Sequence, residues 1–181
     1  MTPLGLTLSV TLAVILGALA LLWLVSVILR DASIVDPFWG TGFVVVAFTA
    51  TWLNAPPSIR ISLVVILTAV WGLRLSGYLL WRNWGHGEDR RYQAMRAHHG
   101  PRFWWMSLFT VFVLQACILW FVSLPIQVAA SKNETTQLGW IDALGVLVWM
   151  IGLSFEAVGD WQLLRFKSDP ENAGRVMDRG L

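Results

Sequence analysis

A chain of 181 residues that is 56% hydrophobic and only 13% charged has too little polar surface for a water-soluble domain of its size, so a lipid bilayer is its main solvent. The net charge of +2 is too small and too scattered to argue for a nucleic-acid partner. The single cysteine, Cys117, lies in an apolar run, which excludes an intramolecular disulfide and a thiolate-rich metal site. Twelve Trp and nine Phe add a second signature of membranes, because aromatic side chains gather where hydrocarbon meets headgroups. Trp81, Trp84, Trp104, Trp105 and Trp140 all fall near segment ends.

In chain order, Leu4 to Leu29 is uncharged and exceeds the roughly 20 residues needed to cross a hydrocarbon core. No Lys or Arg precedes it and its apolar core is longer than that of a cleavable signal, so it reads as a retained span. A polar break from Arg30 to Pro37 leads into Phe38 to Leu53, which is short for a crossing. The Pro56-Pro57 pair marks a loop, and Ile59 to Trp81 is a third apolar stretch, interrupted by Arg74. Arg82 to Arg102 is too polar for hydrocarbon and reads as an interfacial loop or amphipathic helix. Phe103 to Ala130, with Pro125 near its far end, is the fourth span, and Gly139 to Phe166 is the fifth, polar from Glu156 onward.

These elements predict an all-α, polytopic transmembrane bundle with five spans, forming a single domain over residues 1–181. Arg30, the five Arg of the 82–102 loop, Arg165, Lys167, Arg175 and Arg179 fall on one side, with only Arg60 and Lys132 on the other. The positive-inside rule then places the N-terminus outside and the tail in the cytoplasm. Asn133-Glu134-Thr135 is a glycosylation sequon on the expected outer loop.

Ionisable groups within spans are costly, which makes each a candidate for function. Glu156 and Asp160 are four apart and share a helix face, with Lys167 two turns beyond. Such a face suits the polar groups of a nucleotide, with Arg165 or Lys167 toward its phosphates, although a helix end leaving the membrane has the same pattern. Arg74 and Tyr78, also four apart, could supply a buried guanidinium and a phenol; a snorkelling Arg and an interfacial Tyr are the structural alternative. Asp31 and Asp36 flank the entry to segment two, where a partly desolvated carboxylate could act; an exposed loop acid is the structural alternative that spacing alone favours. Gln115 suits an interhelical hydrogen bond. His86, His98 and His99 lack convergent metal-ligand spacing, so no metal is expected.

The motifs Asp31-Ala-Ser-Ile-Val-Asp36-Pro-Phe-Trp-Gly40, Arg74-Leu-Ser-Gly-Tyr78, Gly87-Glu-Asp-Arg-Arg-Tyr92, Leu114-Gln115, Ser123-Leu-Pro125 and Phe155-Glu-Ala-Val-Gly-Asp160-Trp-Gln-Leu-Leu-Arg165-Phe-Lys167 resemble, over nearly the whole chain, the DUF1295 family, itself similar to the steroid 5-alpha-reductase C-terminal domain group. The resemblance implies about seven spans, NADPH bound from the cytoplasmic side, and reduction of a carbon–carbon double bond conjugated to a carbonyl in a lipophilic, steroid-like substrate. It implies cofactor-binding roles for Asp160, Lys167 and Arg175, with Glu156 added by its place on the Asp160 helix face, and catalytic roles for Asp36 and Tyr78 in polarising the substrate carbonyl. In the family a segment like Arg179-Gly-Leu181 is followed by an Arg-His-Pro-Asn-Tyr stretch and two more spans. The expectation is therefore an incomplete cofactor site in these 181 residues, from either a fragment or a natural truncation. Two alternatives stay open: an S-adenosylmethionine-dependent membrane methyltransferase, and a non-catalytic membrane scaffold or remnant.

Overall fold

The computed structural model describes residues 2–132, 137–172, 174–178 and 180. The Asn133-Glu134-Thr135 sequon and the Arg179 and Leu181 positions lie outside the described residues. Among those described, every regular element is helical. Five helical stretches are long and apolar enough to cross a membrane: Pro3–Leu29, Ala32–Leu53, Ile59–Asn83, Arg90–Val122 and Trp140–Ser168. The chain forms two compact units, Met1–Thr136 and Gln137–Leu181.

Helix α1 (Pro3–Leu29) is capped by Thr2, whose hydroxyl accepts the Gly5 N–H at 3.1 Å, with Pro3 in the first turn where its missing N–H costs nothing. Thr7, Thr11, Ile15 and Leu19, spaced every fourth residue, are buried, while Leu21, Ile28 and Leu29 are exposed. This helix is apolar all round, so burial is not decided by hydrophobicity; the face carrying threonines turns inward because lipid cannot satisfy a hydroxyl.

The second span begins earlier than its apolar run. Asp31 accepts the Ser33 N–H at 2.9 Å, a single 3-10 turn covers Ala32–Ile34, and α2 (Val35–Leu53) follows directly. Pro37 and Asp36 therefore sit in the first turn of α2, where proline is tolerated and a carboxylate meets the positive end of the helix dipole. Helix α3 (Ile59–Asn83) packs against α2 at very short range. A Cβ on Gly40 would lie 2.0 Å from the Gly72 carbonyl oxygen, and one on Gly72 would lie 2.4 Å from the Gly40 carbonyl oxygen. Ser76 completes the contact, its hydroxyl oxygen lying 2.8 Å from the Thr41 N and 2.9 Å from the Thr41 hydroxyl.

The polar 82–102 loop contains α4 (Arg90–His99), capped by Asp89, which runs through a 3-10 turn at Gly100–Arg102 into α5 (Phe103–Ser107). A π-helical stretch, Leu108–Val113, then leads into α6 (Leu114–Val122). The continuous helical stretch holding the fourth apolar run is Arg90–Val122, and the part of that run beyond Ser123 forms a separate helix. The chain restarts as α7 (Leu124–Lys132) because Pro125 has no N–H to donate and fits only a first turn. Gln127, fully buried on α7, ties the break together: its Oε1 accepts from the Thr11 hydroxyl at 2.6 Å, and its Nε2 donates to the Ser123 hydroxyl at 2.9 Å and the Trp120 carbonyl at 3.1 Å. Gln127→Leu is expected to lower stability by about 1–2 kcal/mol, the range of interhelical hydrogen bonds in membranes. An unchanged thermal unfolding midpoint in detergent would mean that this cluster holds nothing together.

The core of the first unit joins Ile15, Leu19, Phe43, Phe103, Phe112 and Leu119. The second unit is built on α8 (Trp140–Ser168), where Asp142 accepts the Gly139 N–H at 2.8 Å, followed by a 3-10 turn at Pro170–Asn172. Its 29 residues make a helix about 43 Å long, longer than a hydrocarbon core, so its polar last turns extend beyond the apolar zone.

Candidate functional site

Three segments distant in sequence meet where α2 begins and α4 docks. Asp36 is the centre, its side chain 15% exposed. Oδ2 accepts from Arg91 Nη2 at 2.8 Å and Oδ1 accepts from the Tyr92 hydroxyl at 2.7 Å. Tyr92 is buried, and its oxygen also accepts from Gln115 Nε2 at 3.3 Å. The amide of Gln115 is held in that orientation by Trp39, whose indole N–H donates to Gln115 Oε1. With both ends of its amide engaged, Gln115 aims an N–H at the phenol oxygen and leaves the phenol proton to Asp36. The same end of the unit holds a second ion pair. Arg96 donates to both Glu88 oxygens, at 2.8 and 2.9 Å, while Glu88 Oε1 also accepts the Ala32 N–H at 2.9 Å. Two carboxylates from different motifs therefore fasten the 82–102 segment to the start of α2.

Burial works to raise the Glu88 pKa, but the Arg96 hydrogen bonds, the Ala32 N–H and the Arg96 charge outweigh it, and the net shift is downward from 4.5. A folded pKa below the unfolded one contributes stability at pH above about 4.5, and that contribution is lost as pH falls through the folded value. Acidification is expected to loosen α4 from the start of α2, and Glu88→Gln to show the loosened state already at neutral pH. Hydrogen exchange at α4 amides measures both; exchange in Glu88→Gln matching the unaltered chain at pH 7 would show that the ion pair does not fasten α4.

The residues expected to act fall in both units. Asp36 occupies the network just described. Tyr78 is half-buried on α3, its ring 6.5 Å from Trp81 and 5.6 Å from the Arg82 guanidinium. The chain has two tyrosines, and the one hydrogen-bonded to Asp36 is Tyr92. Arg91 and Tyr92 were legible only as part of a motif; the signal available was a tyrosine standing among arginines in a polar stretch. Glu156 and Asp160 lie one turn apart on α8, and Lys167 and Arg175 are exposed further along. Among the described residues no group of three His, Cys, Asp or Glu side chains is placed to hold a metal.

The second unit contains an open cavity of about 570 Å³ at the end of α8, lined by Trp161, Gln162, Arg165, Phe166, Asn172 and Met177 among others. Arg165 lies over the Trp161 ring at 5.6 Å, and Asn172 donates to the Phe166 carbonyl at 3.0 Å. One guanidinium, two amides, an aromatic face and the Asp169 carboxylate line it, so the cavity presents both donors and acceptors to a polar guest. Of the residues expected to face a nucleotide, Arg165 lines this cavity and Lys167 and Arg175 do not; Gln162, two residues beyond Asp160, lines it as well.

A family model described as "Protein of unknown function (DUF1295)" matches residues 22–181. The chain belongs to the DUF1295 family. No curated protein and no solved structure matches it. In this DUF1295 protein the matched region takes in every residue of the Asp36 network and the whole of the second unit.

Proposed function

We propose that this DUF1295 protein is, or forms part of, a membrane-embedded NADPH-dependent reductase of a conjugated carbon–carbon double bond in a lipophilic substrate. The observation that carries the reading is the Tyr92–Asp36 hydrogen bond, a buried phenol held between a carboxylate and an amide donor at the edge of a membrane-spanning unit. A phenol so placed can turn its proton from Asp36 to a substrate carbonyl oxygen. Asp36 then stays paired with Arg91, and the Gln115 N–H continues to draw electron density from the phenol oxygen. Donation to the carbonyl makes the β-carbon electrophilic and stabilises the enolate that forms. NADPH, when bound, supplies the hydride. Arg165 would hold a phosphate, and Gln162, Asn172 and Trp161 the ring and hydroxyl groups beside it. The family resemblance favours Tyr78 as the phenol, while hydrogen bonding to Asp36 favours Tyr92.

The orientation that goes with this reading puts the 82–102 loop and the tail on the cytoplasmic side, where the cofactor is found. Labelling intact cells with an impermeant thiol reagent, in a Cys117→Ser background, should modify Lys132→Cys and spare Arg90→Cys; the reverse pattern inverts the orientation.

The functional test is binding of NADPH against S-adenosylmethionine to the purified, reconstituted protein, followed by NADPH oxidation with a panel of lipophilic enones. The measurement is made on the 181 residues and, beside them, on any longer natural reading frame. Saturable NADPH binding with enone-dependent oxidation is the expected result for a chain holding the complete site. Selective binding of S-adenosylmethionine would replace the reading with a methyltransferase, and binding of neither with a scaffold.

A further inference from the structure

A second cavity, of about 290 Å³, lies in the first unit between the end of α1 and the start of α5. Its lining includes Ser26, Val27, Arg30, Arg96, Trp104 and Ser107. It is distinct from the Asp36 network and independent of any catalytic reading. Arg30 closes α1 in the left-handed region, at φ 54°, which throws the chain back toward α2 and leaves its side chain exposed. Among the described residues its guanidinium has neither an ion pair nor a hydrogen bond. The two nearby carboxylates are engaged elsewhere, Glu88 by Arg96 and the Ala32 N–H and Asp31 by the Ser33 N–H and hydroxyl, so Arg30 is the cation at this cavity that no carboxylate holds. Ser26 and Ser107 donate their protons to the Trp23 and Trp104 carbonyls at 2.8 and 3.0 Å. What those two hydroxyls offer to a guest is lone pairs.

The surroundings are those of a membrane interface. Trp23 and Trp104 stack with ring centroids 6.4 Å apart, and the Trp23 indole donates to the Trp104 carbonyl at 2.8 Å, making a fixed aromatic wall. Ile28 is 79% and Leu29 60% exposed immediately before Arg30, a surface for acyl chains directly below a cation. We infer that this cavity binds the headgroup of a glycerophospholipid, with the phosphate on Arg30, headgroup hydroxyls on the Ser26 and Ser107 oxygens, and acyl chains along Ile28, Leu29 and Trp104. That donor and acceptor pattern matches phosphatidylglycerol.

The test titrates phosphatidylglycerol into the purified chain in neutral detergent and reads bound lipid by native mass spectrometry together with the thermal midpoint. The unaltered chain should retain lipid saturably. Arg30→Asn removes the cation while keeping a residue that tolerates positive φ, and should weaken retention about tenfold or more. Val27→Trp fills the cavity without touching a charge and should do the same, whereas Arg90→Gln, another exposed cation but outside the cavity, should leave retention unchanged. Retention by Val27→Trp equal to that of the unaltered chain, or equal losses in Arg90→Gln and Arg30→Asn, would reduce the effect to general surface charge and overturn the inference. Soluble glycerol 1-phosphate provides the remaining arm. If it binds as tightly as the lipid, the site is for a soluble phosphate ester and the lipid assignment fails.

Discussion

Gly40→Ala is expected to cost this protein about 3 kcal/mol or more, the upper end of the range for overpacking a tight interface. The new methyl would sit 2.0 Å from the Gly72 carbonyl oxygen and 2.8 Å from the Ser76 hydroxyl. A side chain could rotate away from such a clash, but a helix carbonyl cannot, so α2 and α3 must separate along their length. Separation removes the dispersion contacts that drive helix association where lipid supplies no hydrophobic force, and it breaks the Thr41–Ser76 hydrogen bonds. Gly72→Ala should behave alike, its Cβ meeting the Gly40 carbonyl oxygen at 2.4 Å. Gly77→Ala, on the same helix with nothing within 4 Å of its Cβ, is the control and should be neutral or slightly stabilising. Thermal unfolding followed by size-exclusion in detergent separates the outcomes. Equal midpoints for Gly40→Ala and Gly77→Ala would mean that the two helices do not touch as closely as described.

Tyr92→Phe is expected to lower NADPH-dependent enone reduction by roughly 100-fold or more, the usual weight of a positioned proton donor. The substitution keeps the ring and removes the one group that touches both Asp36 and Gln115. A stability cost of about 1–3 kcal/mol accompanies it, because the Gln115 N–H and one Asp36 oxygen lose their partner in a buried setting. Activity per folded molecule is therefore the quantity to compare. Asp36→Asn should also be defective, since a neutral amide leaves Arg91 to Asp89 alone and changes what the phenol donates to. Tyr78→Phe should retain most of the activity. The reverse ranking, with Tyr78→Phe inactive and Tyr92→Phe active, would return the phenol's role to Tyr78 and make the Asp36–Tyr92 contact a structural tie.

The number and approximate place of the spans were legible in the sequence because a transmembrane helix is fixed by local composition: a run of about 20 apolar residues has no other low-energy state in a bilayer. The family was legible as well, in motifs spread along nearly the whole chain. Where the sequence reading placed a boundary by hydropathy alone it drifted, at Asp36–Pro37 and at Ser123–Pro125, because proline and a carboxylate can belong to a helix when they occupy its first turn. Polar partnerships were not legible. Asp36 lies 56 residues from Tyr92 in sequence and Gln115 a further 23, and no periodicity within one helix encodes a hydrogen bond between three. Glycines posed the same problem: Gly40 and Gly72 differ from Gly77 only in what stands opposite each of them. Solvent preference is a property of each residue and sums along the chain, so sequence alone determined the spans; contact is a property of pairs, so only the packed helices decided which groups meet.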